Sequence, residues 1–473
     1  MSFTIQNVLI AEGEGYKTVD VQIQDDRIVA IAPNLAVIGT AIDGTNQLLL
    51  PGFVNAHTHS SEMWQRGLIP PVPLELWIAE LYETTPLDPE QAYLSAVGTA
   101  IETLMTGGTS VVDHLVLIPG KEIETIAAVD RGYREVGIRA FIAPLIQDEA
   151  LSAGIPTGGD EVRHSNFEQP TQAVLELLQA AIYQFHRPDQ GIEVVAAPTG
   201  IQLCSDALFE GCIELSDRYN LSRHAHLLET KAQKMLAEEK YGCSAVQHLK
   251  EIGFLSEKTS LAHCVWLDDQ DIEIMAETRS TVVHNPLSNL RLGSGIAPIL
   301  KYRQAGVNVT FGCDGAASND SQDLLEAIKI GSILHSVTDF DYHHWITPRQ
   351  SVEMASLGGA TGLDRADQFG SLTVGKKADL VMYDLKSLSL LPRTDPIGLL
   401  ILGRPVNVVS YVWVNGRQVI SDHAICNVNV NELREKLFDR SEWTTQRKSI
   451  SVAETEVRYR SVMRLPGSTI GYS

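Results

Sequence analysis

The chain is poor in what disulfide scaffolds, membrane proteins and nucleic-acid binders need. Its 473 residues include six cysteines, Cys204, Cys212, Cys243, Cys264, Cys313 and Cys426, with no C-x-x-C pair. A disulfide framework is therefore not expected, and a reducing compartment is. No apolar run approaches the ~18 residues of a spanning helix, and the opening MSFTIQNVLIAEGEGYKTVD lacks the basic start and apolar stretch of a secretion signal. A cytoplasmic protein is the expectation. Basic residues are also short, 37 Lys+Arg against 59 Asp+Glu for a formal charge of −22. Such a balance repels nucleic acid and anionic bilayers at long range, while leaving a small-molecule partner open.

What is present is enough for a large core. Hydrophobic residues make up 44% and charged ones 20%, which excludes disorder as the main state. Both ends read as short strands: FTIQNVLIA, TVDVQIQDDRIVAIAP around the turn Asp25-Asp26, and NQLLLPG near the start. GSLTVGKKADLVMYDL and VNVVSYVWVNGRQVI match them near the end. Between them, eight apolar runs (GFVNAH, TSVVDHL, IRAFIAPLI, EVVAAPTG, LSRHAHLLE, TSLAHCVWL, STVVHNPLS and VNVTFGCDG) alternate with helical patterns. In TQAVLELLQAAIYQF the residues Val174, Leu177, Leu178, Ala181, Ile182 and Phe185 share one helical face.

The expected class is therefore α/β, a (β/α)8 TIM-type barrel over 52–366 with a small β-sandwich from 1–51 and 367–430, followed by a C-terminal extension, 431–473. The extension could be a docked helix or an oligomer contact. The long segments after the first and third barrel strands, SSEMWQRGLIPPVPLELWIAELYETT and QDEALSAGIPTGGDEVRHSNFEQP, are expected to form a lid over the C-terminal barrel face.

His57 and His59 end the first barrel strand at i and i+2, where both imidazoles can face the same way and share a cation. Three later strand ends add His226, His263 and Asp314. Four imidazoles and a carboxylate at one barrel face point to a metal centre.

These residues stand in motifs that resemble the amidohydrolase superfamily, in its metal-dependent aminohydrolase branch that includes S-adenosylhomocysteine, guanine and triazine deaminases. The motifs are PGFVNAHTH, IETLMTGGTSVVDH, HAHLLET, AHCVWL, HNPLSNLRLGSGIAP, FGCDG and GSLTVGKKADLVMYD, in family order. The resemblance implies that His57, His59, His226 and Asp314 bind one divalent ion, Zn2+ or Fe2+. A second ion is not expected, because EVVAAPTGIQL offers no lysine to bridge two. His224 is read as structural. The implied reaction is hydrolytic displacement of an amino group from a purine, pterin or s-triazine by hydroxide generated on the ion. Asp314 would take the water proton, His263 would orient the nucleophile, and Glu229 would protonate a ring nitrogen. A homodimer is also implied.

Substrate contacts are expected from Trp64, Trp77, Gln202, His114 and His284, and a clamp on the barrel mouth from Asn285, Asn289 and Arg291. Cys264 and Cys313 should be inert core thiols. Where adenosine and guanine deaminases of the branch carry Pro-His or Pro-Arg-Phe, this chain has Pro198-Thr199, and the third strand ends in APLIQDE without arginine. With Gln202, Gln147, Asp148 and Glu149 nearby, a neutral donor-rich heterocycle is favoured over an adenosine derivative or guanine. Two other readings stand beside this one: ring opening of a cyclic amide or imidazolone, and a non-catalytic ligand-binding barrel.

Overall fold

Two kinds of strand divide the chain, and burial separates them. The computed structural model describes residues 2–84, 87–157, 169–441 and 450–465. Strands buried only in part come from the ends: β1 (Ser2–Glu12), β2 (Gly15–Gln24), β3 (Arg27–Ala32), β4 (Thr40–Asp43) and β5 (Gln47–Pro51). Strands buried along their whole length come next: β6 (Phe53–Thr58), β7 (Gly108–Leu115), β8 (Arg139–Pro144) and β9 (Ile192–Val194). After them come β10 (Arg223–Leu227), β11 (Thr259–His263), β12 (Thr281–His284) and β13 (Val309–Phe311). Burial on both faces is what parallel strands covered by helices require, and it makes them legible as continuous apolar runs. The chain closes on β14 (Leu380–Asp384), β15 (Val409–Val414), β16 (Arg417–Ser421) and β17 (Ala424–Ile425).

β6 to β9 form one four-stranded parallel sheet and β10 to β13 another. The two are stitched by a parallel bridge between Ala196 and Arg223, just past β9. At the opposite edges the Asp314 N–H donates to the His57 carbonyl, 2.9 Å. Inward side chains Val54, Val112, Phe141, Val195 and Val283 pack into one cluster closed by Phe369. The helix Thr171–Phe185 lies where its spacing predicts, with Val174, Leu178, Ala181, Ile182 and Phe185 buried.

The end strands form one sheet that folds back on itself: Phe3 of β1 stacks on Trp413 of β15, three strands away in the sheet order, with ring centroids 5.4 Å apart. All nine belong to one sheet, because β5 pairs in parallel with β1 and antiparallel with β14, joining the two halves edge to edge. Arg139, at the start of β8 and 2% exposed, ties this sheet to the parallel strands: its guanidinium grips Asp379 through Nε and Nη2 at 2.9 and 3.1 Å.

The first long connection becomes a 3-10 turn, Ser60–Gln65, and a helix, Leu74–Tyr82. The second holds a 3-10 turn at Leu151–Gly154, and its stretch 158–168 lies outside the described residues. The extension contributes helices Val430–Arg440 and Ile450–Val462. The latter packs on Leu74–Tyr82, and Arg458 donates to the carbonyls of Ser152 at 2.8 Å, Pro156 at 3.1 Å, and Ile155. It thereby clasps both lid segments. Among the described residues no helix is long and apolar enough to cross a membrane.

Candidate active site

The strand ends that carry the predicted ligands leave regular geometry at the same level. His263 has φ 74° and Asp314 φ 62°, left-handed values that cost energy for non-glycine residues and persist only where surroundings impose them. Around Asp314 those surroundings are the His57 carbonyl on its N–H and Gln322 Nε2, which donates to the Asp314 carbonyl at 2.7 Å.

His57, His59, His263 and Asp314 come together, all but fully buried, with His226 partly buried beside them. Asp314 Oδ1 lies 3.4 Å from His57 Nε2 and 3.5 Å from His59 Nε2, and His226 Nε2 lies 3.3 Å from His59 Nε2. The other ring nitrogens settle the protons. His59 Nδ1 faces the His114 carbonyl at 2.5 Å and His226 Nδ1 the Thr199 carbonyl at 2.8 Å. A carbonyl only accepts, so each Nδ1 carries hydrogen and each Nε2 keeps its lone pair.

His57 reaches the same state through a longer chain. Ser260 Oγ donates to the Arg223 carbonyl at 3.4 Å and so accepts from His224 Nδ1 at 2.8 Å. His224 Nε2 must then accept from His57 Nδ1, also 2.8 Å. His57 Nε2 is left buried without a hydrogen-bond partner. Burial holds the imidazoles of His57 and His224 well below their usual pKa and pushes that of His226 down to about 3. Three neutral lone pairs and a carboxylate oxygen converging in a buried space fit a divalent cation, and the nitrogen and oxygen donors suit zinc. His57, His59 and Asp314 form one potential cation-binding group, and His57, His114 and His226 another.

Beside these groups opens a cavity whose lining includes His59, His226, Glu229, His263, Asp314, Gln202 and Trp77. Glu229 follows β10 and is 2% exposed. Its Oε1 accepts from Ser294 Oγ at 2.9 Å, and its Oε2 sits 3.5 Å from His263 Nε2. Burial pushes its carboxyl up to about 7. Asn289 Oδ1 accepts from His263 Nδ1 at 2.9 Å, so His263 presents Nε2 between Glu229 Oε2 and Asp314 Oδ2, the latter 3.8 Å away.

Several expected substrate contacts lie elsewhere. Trp64 packs against the core and donates Nε1 to the Gln91 carbonyl, because the 3-10 turn rotates it away from the cavity that Trp77 lines. His114 is wholly buried among the other imidazoles, with Nε2 3.2 Å from the Ala197 carbonyl. His284 pairs with His335, Nε2 to Nε2 3.2 Å, away from the cavity. Asp148 accepts from Ser205 N, Ser205 Oγ and Thr171 Oγ1, and Glu149 pairs with Lys240. Both acids are therefore occupied by structural bonds. Gln147 is absent from the cavity lining. Asn285, Asn289 and Arg291 belong to a short helical segment, with Asn285 at the N-cap of Pro286–Arg291. Asn289 holds His263, and Arg291 bonds Asp320 and the Ile69 carbonyl at the rim. Cys264 and Cys313 are buried thiols whose pKa burial raises.

Ser294, which donates to Glu229, and the acid Glu62, which lines the cavity, carry no sequence signal of their own. Glu62 lies three residues beyond His59, and its i+4 neighbour Arg66 suggests an ordinary helical ion pair. Arg66 instead grips Glu102 at 2.9 and 3.0 Å, leaving Glu62 to the cavity.

Residues 48–419 match the model of the "Amidohydrolase family". A 5-methylthioadenosine/S-adenosylhomocysteine deaminase of Halothermothrix orenii is 32% identical over 401 residues, 84% of this chain and 86% of that protein. A 5'-deoxyadenosine deaminase of Methanopyrus kandleri is 31% identical over 407 residues, 85% and 88% of the two chains. The crystal structure of an atrazine chlorohydrolase from Arthrobacter aurescens TC1 complexed with zinc superposes with a TM-score of 0.83 at 25% identity, covering 92% of this chain and 99% of that one. With a family match across most of its length and relatives above 30% identity, the chain belongs to the amidohydrolase family.

Proposed function

We propose that the protein is a metal-dependent hydrolytic deaminase that removes an amino group from an electron-poor nitrogen heterocycle. The observation that carries this reading is the approach of His57 and His59 Nε2 to Asp314 Oδ1, with His226 Nε2 3.3 Å from His59 Nε2, beside a cavity that also holds buried Glu229. Relatives named as adenosine-type deaminases and a zinc-containing triazine-ring hydrolase share the fold and support it. The supporting scaffold reads as one (β/α)8 barrel over 52–366, its two parallel sheets bridged at both edges, with 1–51 and 367–430 forming the attached β unit.

His57, His59, His226 and Asp314 would hold one divalent ion, Zn2+ by its donor set. Such an ion supplies Lewis acidity that makes water nucleophilic at neutral pH. Asp314 Oδ2 accepts the proton that the attacking water loses. Glu229 donates a proton to the ring nitrogen next to the attacked carbon, neutralising charge as it builds. Burial suits Glu229 to this role by keeping its carboxyl protonated near neutrality. His263 Nε2, placed between the two carboxyls by Asn289, passes a proton from Asp314 to Glu229 or to the departing amine. The helix Leu74–Tyr82 covers the ring and limits bulk water.

The test is ammonia release from the zinc-loaded protein offered aminopurines, aminopterins and aminotriazines. The parent should release ammonia, and Glu229→Gln should lower the rate by about 100-fold or more. Equal rates remove Glu229 from its role, and a carboxylate product without ammonia replaces deamination with ring opening.

A further inference from the structure

A second buried carboxyl lines the cavity and takes no part in the proton path above. Glu62 is 4% exposed and is held in a rigid seat. The turn that carries it starts at Ser60, whose N–H and Oγ donate to Asp113 at 2.9 and 2.6 Å, and Tyr133 donates to the same carboxylate at 2.8 Å. On the cavity side Glu62 Oε2 accepts from the Ala317 N–H at 3.3 Å. A Cβ on Gly315 would stand 1.7 Å from that oxygen, so only glycine leaves it room. The carboxyl therefore lies against the residue next to Asp314, in the cavity wall. Among the described residues Glu62 has no ion pair, and neither lysine nor arginine lines the cavity.

Burial pushes the Glu62 carboxyl up to about 7, so it is ionised above neutrality or when a donor pairs with it, and a desolvated carboxylate in the cavity wall with spare acceptor capacity calls for that donor from the ligand. Resting on the deaminase reading above, we propose that Glu62 selects the substrate by accepting a hydrogen bond from a second exocyclic amine of the ring, besides the amino group that is lost. The substrate class is then a di- or triamino heterocycle without an anionic substituent. A ring lacking the second donor leaves Glu62 unpaired in a buried site, the situation in which polar pockets discriminate most strongly. The apolar wall of Leu74, Trp77 and Leu81 takes the ring face and any alkyl group on the second amine.

The experiment uses the zinc-loaded full chain and two matched pairs, 2,6-diaminopurine against adenine and melamine against 2-amino-1,3,5-triazine. Affinity is measured by calorimetry on Glu229→Gln protein, where turnover is suppressed, and KM and kcat on the parent. The diamino or triamino member should be preferred by about tenfold or more, chiefly in KM. Glu62→Gln in the same backgrounds should bring the preference towards one, and Glu62→Asp should restore part of it. A preference equal in parent and Glu62→Gln overturns the proposal. So does a Glu62→Gln effect confined to adenosine against 2′,3′-dideoxyadenosine, which would assign Glu62 to sugar hydroxyls. Ammonia release without preference for the second amine sinks this proposal and leaves the deaminase reading standing. Preferential binding without ammonia from any ring does the reverse.

Discussion

Replacing His224 by phenylalanine tests whether the histidine layer is arranged to hold a cation. His224 touches neither the cavity nor Asp314; it accepts from His57 Nδ1 and donates to Ser260 Oγ, both at 2.8 Å. Phenylalanine fills a similar volume but cannot accept, so the His57 Nδ1–H is left buried and unpaired. That costs about 1–3 kcal/mol, which the ring avoids by moving its proton to Nε2, where it blocks the ligand position. At about 1.4 kcal/mol per decade this is roughly a 10- to 100-fold loss of metal affinity, the range typical when the partner of a ligating histidine is removed. Zinc competition against a chromophoric chelator at fixed pH measures it. His284→Phe is the control, since His284 is equally buried but bonds only His335 and should leave affinity unchanged. Affinity in His224→Phe within about twofold of the control would refute the reasoning, because no difference of that size reflects a lost buried hydrogen bond.

Asp379→Ala strips the fork from Arg139 and leaves a buried guanidinium facing one neutral partner, Asn415. Unfolding in denaturant should show a loss of about 3–5 kcal/mol, and a loss below about 1 kcal/mol would contradict the pairing. Arg458→Ala releases three carbonyls of the 151–156 segment. Hydrogen exchange should then speed up in Leu151–Gly154 and in the helix Leu74–Tyr82 with little change in β6 to β13, and unaltered exchange in both would show that the extension does not brace the lid.

What could be read from the chain, and what could not, follows from where information is local. Strands β6 to β13 are largely buried on both faces, so each leaves an apolar run, and the candidate ligand residues were visible because they stand at the ends of those runs. Glu229 and His263 were legible for the same reason. Trp64 and Trp77 were not distinguishable, since the sense of a short 3-10 turn decides which enters the cavity. The pairing of His284 with His335 spans 51 positions and has no spacing signal. Asp148 looked available to a ligand because its three hydrogen-bond donors come from Ser205 and Thr171, remote in sequence. Glu62 stayed hidden behind a plausible i,i+4 pair with Arg66 that Glu102 pre-empts. The end strands were legible as short β-rich runs, but their order was not, because β5 pairs with both β1 and β14 and these partners carry no spacing signal.

The central claim is most directly tested by anomalous diffraction at the zinc edge from crystals of the protein purified without chelator. One peak is expected, bounded by His57 Nε2, His59 Nε2, His226 Nε2 and Asp314 Oδ1, with near-stoichiometric zinc in the same preparation. A well-ordered crystal from zinc-supplemented protein with no peak there, or with its peak held by His114 and away from Asp314, would contradict the account.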